Sequence, residues 1–140
     1  MDIVNLSNKF FETHSDCPEI LKKGSRPYML VLIKIDDITF AIPFRSNIKH
    51  KYVYWTDKQN NCGLDFTKSV VISSDDDIAC HNVQIRQNEF NAVKGREYFI
   101  TQKFSTFLST YKKAYKNLNI ERNKTLINNS ALQYFIEEIF

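Results

Sequence analysis

The sequence predicts an α+β fold in a single domain covering residues 1–140. Strand signals fill its first two thirds, a strongly amphipathic helix follows, and no βαβ alternation, internal repeat or linker divides it. With 43% hydrophobic and 14% aromatic residues, 140 positions suffice for one bulky core.

Taken in order, residues 2–6 mix polar and apolar side chains as a short strand does, and Ser7 offers an N-cap for a helical turn reaching Glu12. Residues 14–27 hold Pro18, Gly24 and Pro27 and read as loop. Residues 28–35 and 38–44, joined by Asp36-Asp37, form the clearest hairpin; both arms are nearly continuously apolar, which predicts a sheet covered in part on both faces. Further strands are expected at 52–55 and 69–73, with 56–62 a polar excursion. Gly63 is expected to supply a tight turn, Asp65 to satisfy backbone donors within it, and Asp75-Asp76-Asp77 to make another turn. Residues 83–93, with Val83, Ile85, Phe90 and Val93, fit a broken strand or a short helix equally well. Over 101–118, Phe104, Phe107, Leu108, Tyr111, Tyr115 and Leu118 follow helical spacing in one stripe. Lys113 and Lys116 fall on the far side, with Lys112 at the flank. Asn128-Asn129 reads as loop, and Ser130 with Gln133 has capping-box spacing for a C-terminal helix ending in Ile139-Phe140.

Composition excludes several chemistries. The three glycines, Gly24, Gly63 and Gly95, are too far apart for a phosphate-cradling loop, which needs two or three within about eight residues. Cys17, Cys62 and Cys80 are odd in number and dispersed, as free thiols are, and His14, His50 and His81 lack metal-ligand spacing. The consecutive Asp75-Asp76-Asp77 suits a turn better than an ion, so neither metal nor cofactor is expected. No apolar run approaches the roughly 18 residues of a membrane span. The start at Met1-Asp2 has no basic segment leading into an apolar one, so a cytoplasmic location is expected.

The net charge of +3 is unevenly placed. Residues 94–124 carry eight cations against two carboxylates, a net of +6, and residues 41–68 carry five against two, a net of +3. Residues 69–93 between them are acidic. Two basic stretches of this kind suit a polyphosphate partner, or are solvated lysines. Just after the strand that ends at Pro43, seven residues present Arg45, Ser46, Asn47, Lys49 and His50. Cations, a hydroxyl and an imidazole suit metal-free cleavage of RNA. There the ribose 2′-hydroxyl loses a proton, the phosphate oxygens gain charge and the 5′-oxygen is protonated. The same residues also fit a polar strand-end loop with a capping serine. Lys68, just before a strand, is a further open candidate.

Four runs persuade together by order and spacing: Arg26-Pro27-Tyr28-Met29-Leu30-Val31-Leu32, Phe40-Ala41-Ile42-Pro43-Phe44-Arg45-Ser46-Asn47-Ile48-Lys49-His50, Gly63-Leu64-Asp65-Phe66-Thr67-Lys68, and Ser130-Ala131-Leu132-Gln133-Tyr134-Phe135. Across nearly the whole chain they resemble the toxins of type III toxin–antitoxin systems, in the CptN/TenpN branch of the ToxN/AbiQ superfamily. That resemblance implies a compact, strongly twisted, barrel-like antiparallel sheet with flanking helices, similar to the MazF/Kid toxins. It implies a metal-independent, sequence-specific endoribonuclease that leaves 2′,3′-cyclic phosphate and 5′-hydroxyl ends. It also implies a partner, a small repeat-derived pseudoknot RNA antitoxin, which the toxin processes and which inhibits it in a hetero-oligomeric protein–RNA assembly. Cellular or phage RNA would be the substrate, and phage defence the setting.

Carried onto this chain, the resemblance implies Ser46 as the catalytic serine, with Arg45, Lys49 and Arg26 stabilising charge. Arg45 stands where the family often has threonine, and Ile48 where ToxN has lysine. His50 and Lys68 are further catalytic candidates. Lys51, Lys94, Arg96, Lys103, Lys112, Lys113 and Lys116 are expected to contact RNA. A non-catalytic RNA-binding regulatory module using the same basic face is the alternative.

Overall fold

The computed structural model describes residues 2–21, 29–81, 85 and 87–140. Strand β1 (Ile3–Leu6) runs into helix α1 (Asn8–Thr13), whose N-cap is Ser7: its hydroxyl accepts the Phe10 N–H at 3.2 Å. Strands β2 (Leu30–Ile35) and β3 (Ile38–Arg45) form the expected hairpin. Asp36 and Asp37 stand at φ 50° and 66°, the left-handed pair that a two-residue turn needs to match the twist of its strands. The register runs from Leu30↔Pro43 to Ile35↔Ile38.

Strands β4 (Val53–Asp57) and β5 (Cys62–Asp65) make a second hairpin, followed by β6 (Val70–Ile72) and β7 (Ile78–Cys80). β1 lies between β2 and β7, while the other edge of β3 is shared, its first half pairing with β6 and its end with β5. Among the described residues seven strands pair, all antiparallel, and the ladder ends at β4 and β7 without joining them. The barrel-like closure implied by the resemblance is therefore corrected to an open sheet. Because β3 gives one edge to two short strands in turn, the sheet branches there instead of curling round to its own far edge.

One further expectation changes in this region, and the expected turn at Asp75-Asp76-Asp77 is present. Gly63 makes no turn; it lies within β5, where a Cβ would come within 2.4 Å of the Tyr54 carbonyl oxygen and 2.7 Å of Val53 Cγ1. Glycine is what lets β4 and β5 approach. The turn itself falls to Asn61 at φ 57°. Asp75–Asp77 is a 3-10 turn capped by Ser74, and β7 follows it.

Residues 87–93 resolve as helix α2 (Gln87–Val93), and α3 (Glu97–Tyr115) contains the amphipathic stripe. α3 begins four residues before the expected start and stops at Tyr115, so Leu118 lies beyond it, and Tyr115 and Leu118 are exposed. Ile100 and Ala114 complete the buried face instead. Phe104 meets Phe40 and Phe66 at ring-centroid distances of 5.0 and 5.3 Å, which seats α3 on the sheet. Helix α4 (Glu121–Asn129) replaces the loop expected around Asn128-Asn129; it buries only Leu126 and Ile127, too few to give a periodic signal. Ser130 and Gln133 close α4 where a capping box was expected to open the next helix. Ser130 Oγ donates to the Leu126 carbonyl at 2.6 Å, and the Gln133 amide donates to the carbonyls of Ile127, Asn128 and Ser130. A 3-10 turn, Ala131–Phe135, then leads into the C-terminal helix α5 (Ile136–Ile139). Among the described residues no helix is long and apolar enough to cross a membrane.

Candidate functional site

Segments far apart in sequence meet at the end of β3. Its last residue, Arg45, pairs with Gly63 of β5, which brings it beside Asp65 two residues on. Arg45 Nη1 donates to Asp65 Oδ2 at 2.8 Å. Asp65 is fully buried, and its Oδ1 accepts from Thr67 Oγ1 at 2.7 Å, Thr67 N at 3.0 Å and His50 Nε2 at 3.0 Å. Asp65 does accept a backbone N–H, in the 3-10 turn Phe66–Lys68 and not in a turn at Gly63 as expected, and three side chains are added to it. Burial by itself would raise the Asp65 carboxyl; the hydrogen bonds from His50, Thr67 and Arg45 outweigh it and hold the group below its ordinary value of 3.8.

The Tyr52 N–H donates to His50 Nδ1 at 3.1 Å, so that nitrogen is bare and the ring proton sits on Nε2, facing Asp65. Both imidazole nitrogens are therefore engaged.

Over this network opens a cleft of about 530 Å³. Arg45, His50, Tyr52, Thr67 and Lys68 line it from the sheet side. Arg122, Thr125, Leu126 and Asn129, spaced i, i+3, i+4 and i+7, line it from one face of α4. Lys68 Nζ donates to the Asn129 carbonyl at 2.7 Å, a cation at a helix C-terminus, and has two further N–H donors. Burial pulls the Lys68 ammonium below the ordinary lysine value; Asp65 and Glu19 oppose that pull and Arg45 adds to it.

Asp65 is already saturated by its four donors, and Glu19, whose charge also acts on Lys68, lies beyond ion-pair distance of it. Among the described residues neither Lys68 nor Arg122 has a carboxylate within 4.0 Å. Two of the cleft's three cations thus have no ion-pair partner among the described residues, a condition that favours binding an anion.

Of the residues singled out in the sequence, Arg45, His50 and Lys68 come together here. Ser46 and Lys49 are exposed on the adjoining turn. Asn47 at φ 57° shapes that turn, and buried Ile48 anchors it, its N–H on the Asn61 carbonyl at 3.1 Å. Arg26 lies outside the described residues. Lys51 is exposed, its ammonium 5.5 Å from the centre of the Tyr52 ring at the cleft. Lys94 and Arg96 stand between α2 and α3, Lys103 on α3, and Lys112, Lys113 and Lys116 at its far end. At 1.5 Å per residue, Arg96 and Lys116 are about 30 Å apart, so these cations do not share a single pocket. Sequence reasoning missed the α4 wall. Its signal was Arg122 inside the +6 stretch, but without α4 nothing aimed that residue anywhere.

No disulfide joins Cys17, Cys62 and Cys80 to one another. Among the described residues no group of three or more His, Cys, Asp or Glu side chains could hold a metal ion. No family model, curated protein or solved structure matches the chain.

Proposed function

We propose that this chain is a metal-independent endoribonuclease toxin of the type III toxin–antitoxin kind. It acts on cellular or phage RNA in the cytoplasm and is restrained by a small pseudoknot RNA in a hetero-oligomeric assembly. The observation that carries the reading is the cleft, where Arg45 and Lys68 of one basic stretch meet Arg122 of the other and, among the described residues, two of the three cations have no carboxylate within 4.0 Å. A phosphate of an RNA strand supplies the missing charge.

In the reaction the ribose 2′-oxygen bonds to the adjacent phosphorus while the bond to the 5′-oxygen breaks. The 2′-proton leaves, the 5′-oxygen gains a proton, and a 2′,3′-cyclic phosphate and a 5′-hydroxyl result. Ser46, next to Arg45 in the chain, hydrogen-bonds the 2′-hydroxyl or the scissile phosphate. Arg45, Lys68, Arg122 and Lys49 meet the charge that grows on the phosphate oxygens. Arg26 keeps the charge-stabilising role that the resemblance implies.

The test is cleavage of end-labelled single-stranded RNA by purified protein in EDTA. Fragments ending in cyclic phosphate are expected, with Ser46→Ala slower by about 10²-fold or more, the scale of a lost proton-transfer or orienting group. A second reading, a binding module that does no chemistry, draws support from the engagement of both His50 nitrogens. The absence of an imidazole or carboxylate bonded to Ser46 among the described residues supports it too. Under that reading the same experiment gives a gel shift and intact RNA.

A further inference from the structure

At the corner where α2 ends and α3 begins, Tyr98 is 69% exposed, Phe99 55% and Phe90 39%. Large apolar rings seldom stand this far into solvent on successive residues of a helix without a partner. Cations are interleaved with them. Arg96 lies over the Phe99 ring at 5.5 Å, Lys94 over Phe90 at 5.8 Å, and Tyr98 meets Phe99 edge to face at 5.6 Å. Gly95, at φ 69°, makes the break that brings Lys94 and Arg96 to this corner.

That mixture decides the class of occupant. Lysine is depleted from protein–protein interfaces, whereas here Lys94 stands over the Phe90 ring beside Arg96. Flat aromatic faces beside cations that reach phosphates are what unpaired nucleic acid requires: bases stack and the backbone is neutralised. The corner is also joined to the cleft. Tyr52 lines the cleft, Tyr54 lies two residues on and so on the same face of the β4 segment, and the Tyr54 hydroxyl donates to the Ala92 carbonyl in the last turn of α2 at 3.1 Å. Along α3, Phe99 is eight residues from Phe107, which packs against Tyr52. That is about 12 Å, or roughly four nucleotides at a stacked spacing of about 3.4 Å.

We infer that the α2–α3 corner, with Tyr98, Phe99 and Phe90 as its faces and Lys94 and Arg96 as its cations, is a stacking platform for unpaired RNA bases a few nucleotides away from the phosphate held in the cleft. This rests on the RNA reading above. It adds a length requirement: single strands long enough to span cleft and corner bind more tightly than fragments that fill the cleft alone.

The experiment uses the full chain and 2′-O-methyl oligoribonucleotides, which lack the attacking hydroxyl, with Kd read by fluorescence anisotropy. A 3-mer and a 12-mer, both unstructured, are compared for the parent, Tyr98→Ser/Phe99→Ser and Arg122→Gln. The exposed rings can be replaced without opening the core, and circular dichroism checks the fold. The expected result is a 12-mer Kd raised at least about tenfold by Tyr98→Ser/Phe99→Ser, the 3-mer Kd unchanged, and both weakened by Arg122→Gln. An unchanged 12-mer Kd overturns the platform while leaving the cleft reading standing. A change in sedimentation of the free protein on Tyr98→Ser/Phe99→Ser would mark the corner as a contact between copies and likewise overturn the platform. Failure of the parent to bind either oligonucleotide overturns the RNA reading and the platform together.

Discussion

Arg45 and Arg122 face the same cleft from opposite walls, and their charges are met differently. Arg45 has one side of its guanidinium on buried Asp65, inside a network that also holds His50 and Thr67. Arg122 comes from the first turn of α4 and has no carboxylate within ion-pair distance among the described residues. A carboxylate as buried as Asp65 is tolerated because its four donors replace water, so this wall is architecture first. An arginine beside a cleft with no counter-ion gains little for the fold and is free for an anion from outside. The two walls separate the residues that hold the site from those that use it.

The sharpest way to break that division is Asp65→Ala. It leaves four donors unmatched, the half-buried Arg45 guanidinium among them. A loss of about 3 kcal/mol in urea-unfolding free energy is expected, the low end for removing one partner of a buried pair, because Arg45 still reaches water at 34% side-chain exposure. Gly63→Ala tests the same wall through packing. A Cβ driven into the Tyr54 carbonyl must part β4 from β5, at a cost of about 1–3 kcal/mol on the same measurement.

Acid probes the wall through its charge. Since Asp65 titrates below its ordinary 3.8 in the folded protein, its contribution is complete above that value and is lost as pH falls through the lower, folded one. Urea midpoints of the parent and Asp65→Asn should therefore differ by a constant amount from pH 7 to about 5 and converge below about pH 4. A gap that stays constant to pH 2.5 would remove the carboxylate's charge from the account. The smallest effect on stability belongs to the other wall: Arg122→Gln should change unfolding free energy by no more than about 0.5 kcal/mol. It should also lower the slope of log Kd for RNA against log salt by about 1. If Arg122→Gln unfolded the protein as Asp65→Ala does, the two walls would not differ in kind.

The β2–β3 hairpin was legible because its signals are local. Asp36-Asp37 permits two left-handed residues in succession, and the flanking apolar runs leave no other place for a turn. The buried face of α3 was legible for the same reason, since Phe104, Phe107, Leu108 and Tyr111 recur at helical spacing. What escaped was set by partners distant in the chain. β5 looks like a turn because it contains glycine, yet that glycine answers the carbonyl of Tyr54 on the next strand. α4 has two buried residues in nine, and its final turn is completed by Gln133 and by Lys68, 61 positions from Asn129. The candidate site divides likewise. Arg45, Ser46, Lys49 and His50 stand out because a buried strand stops and five polar side chains follow, whereas Arg122 is one cation among eight until α4 is in place.

Sequence alone determined the class of fold, the central hairpin, the amphipathic helix and the two basic stretches, because each depends on residues within a turn or two of one another. Tertiary packing decided that the sheet stays open, that Asp65 holds Arg45 and His50, and that one cation of the second stretch joins two of the first around a cleft. Those outcomes depend on which unsatisfied donors and acceptors meet once the core has closed, and no local pattern contains that pairing.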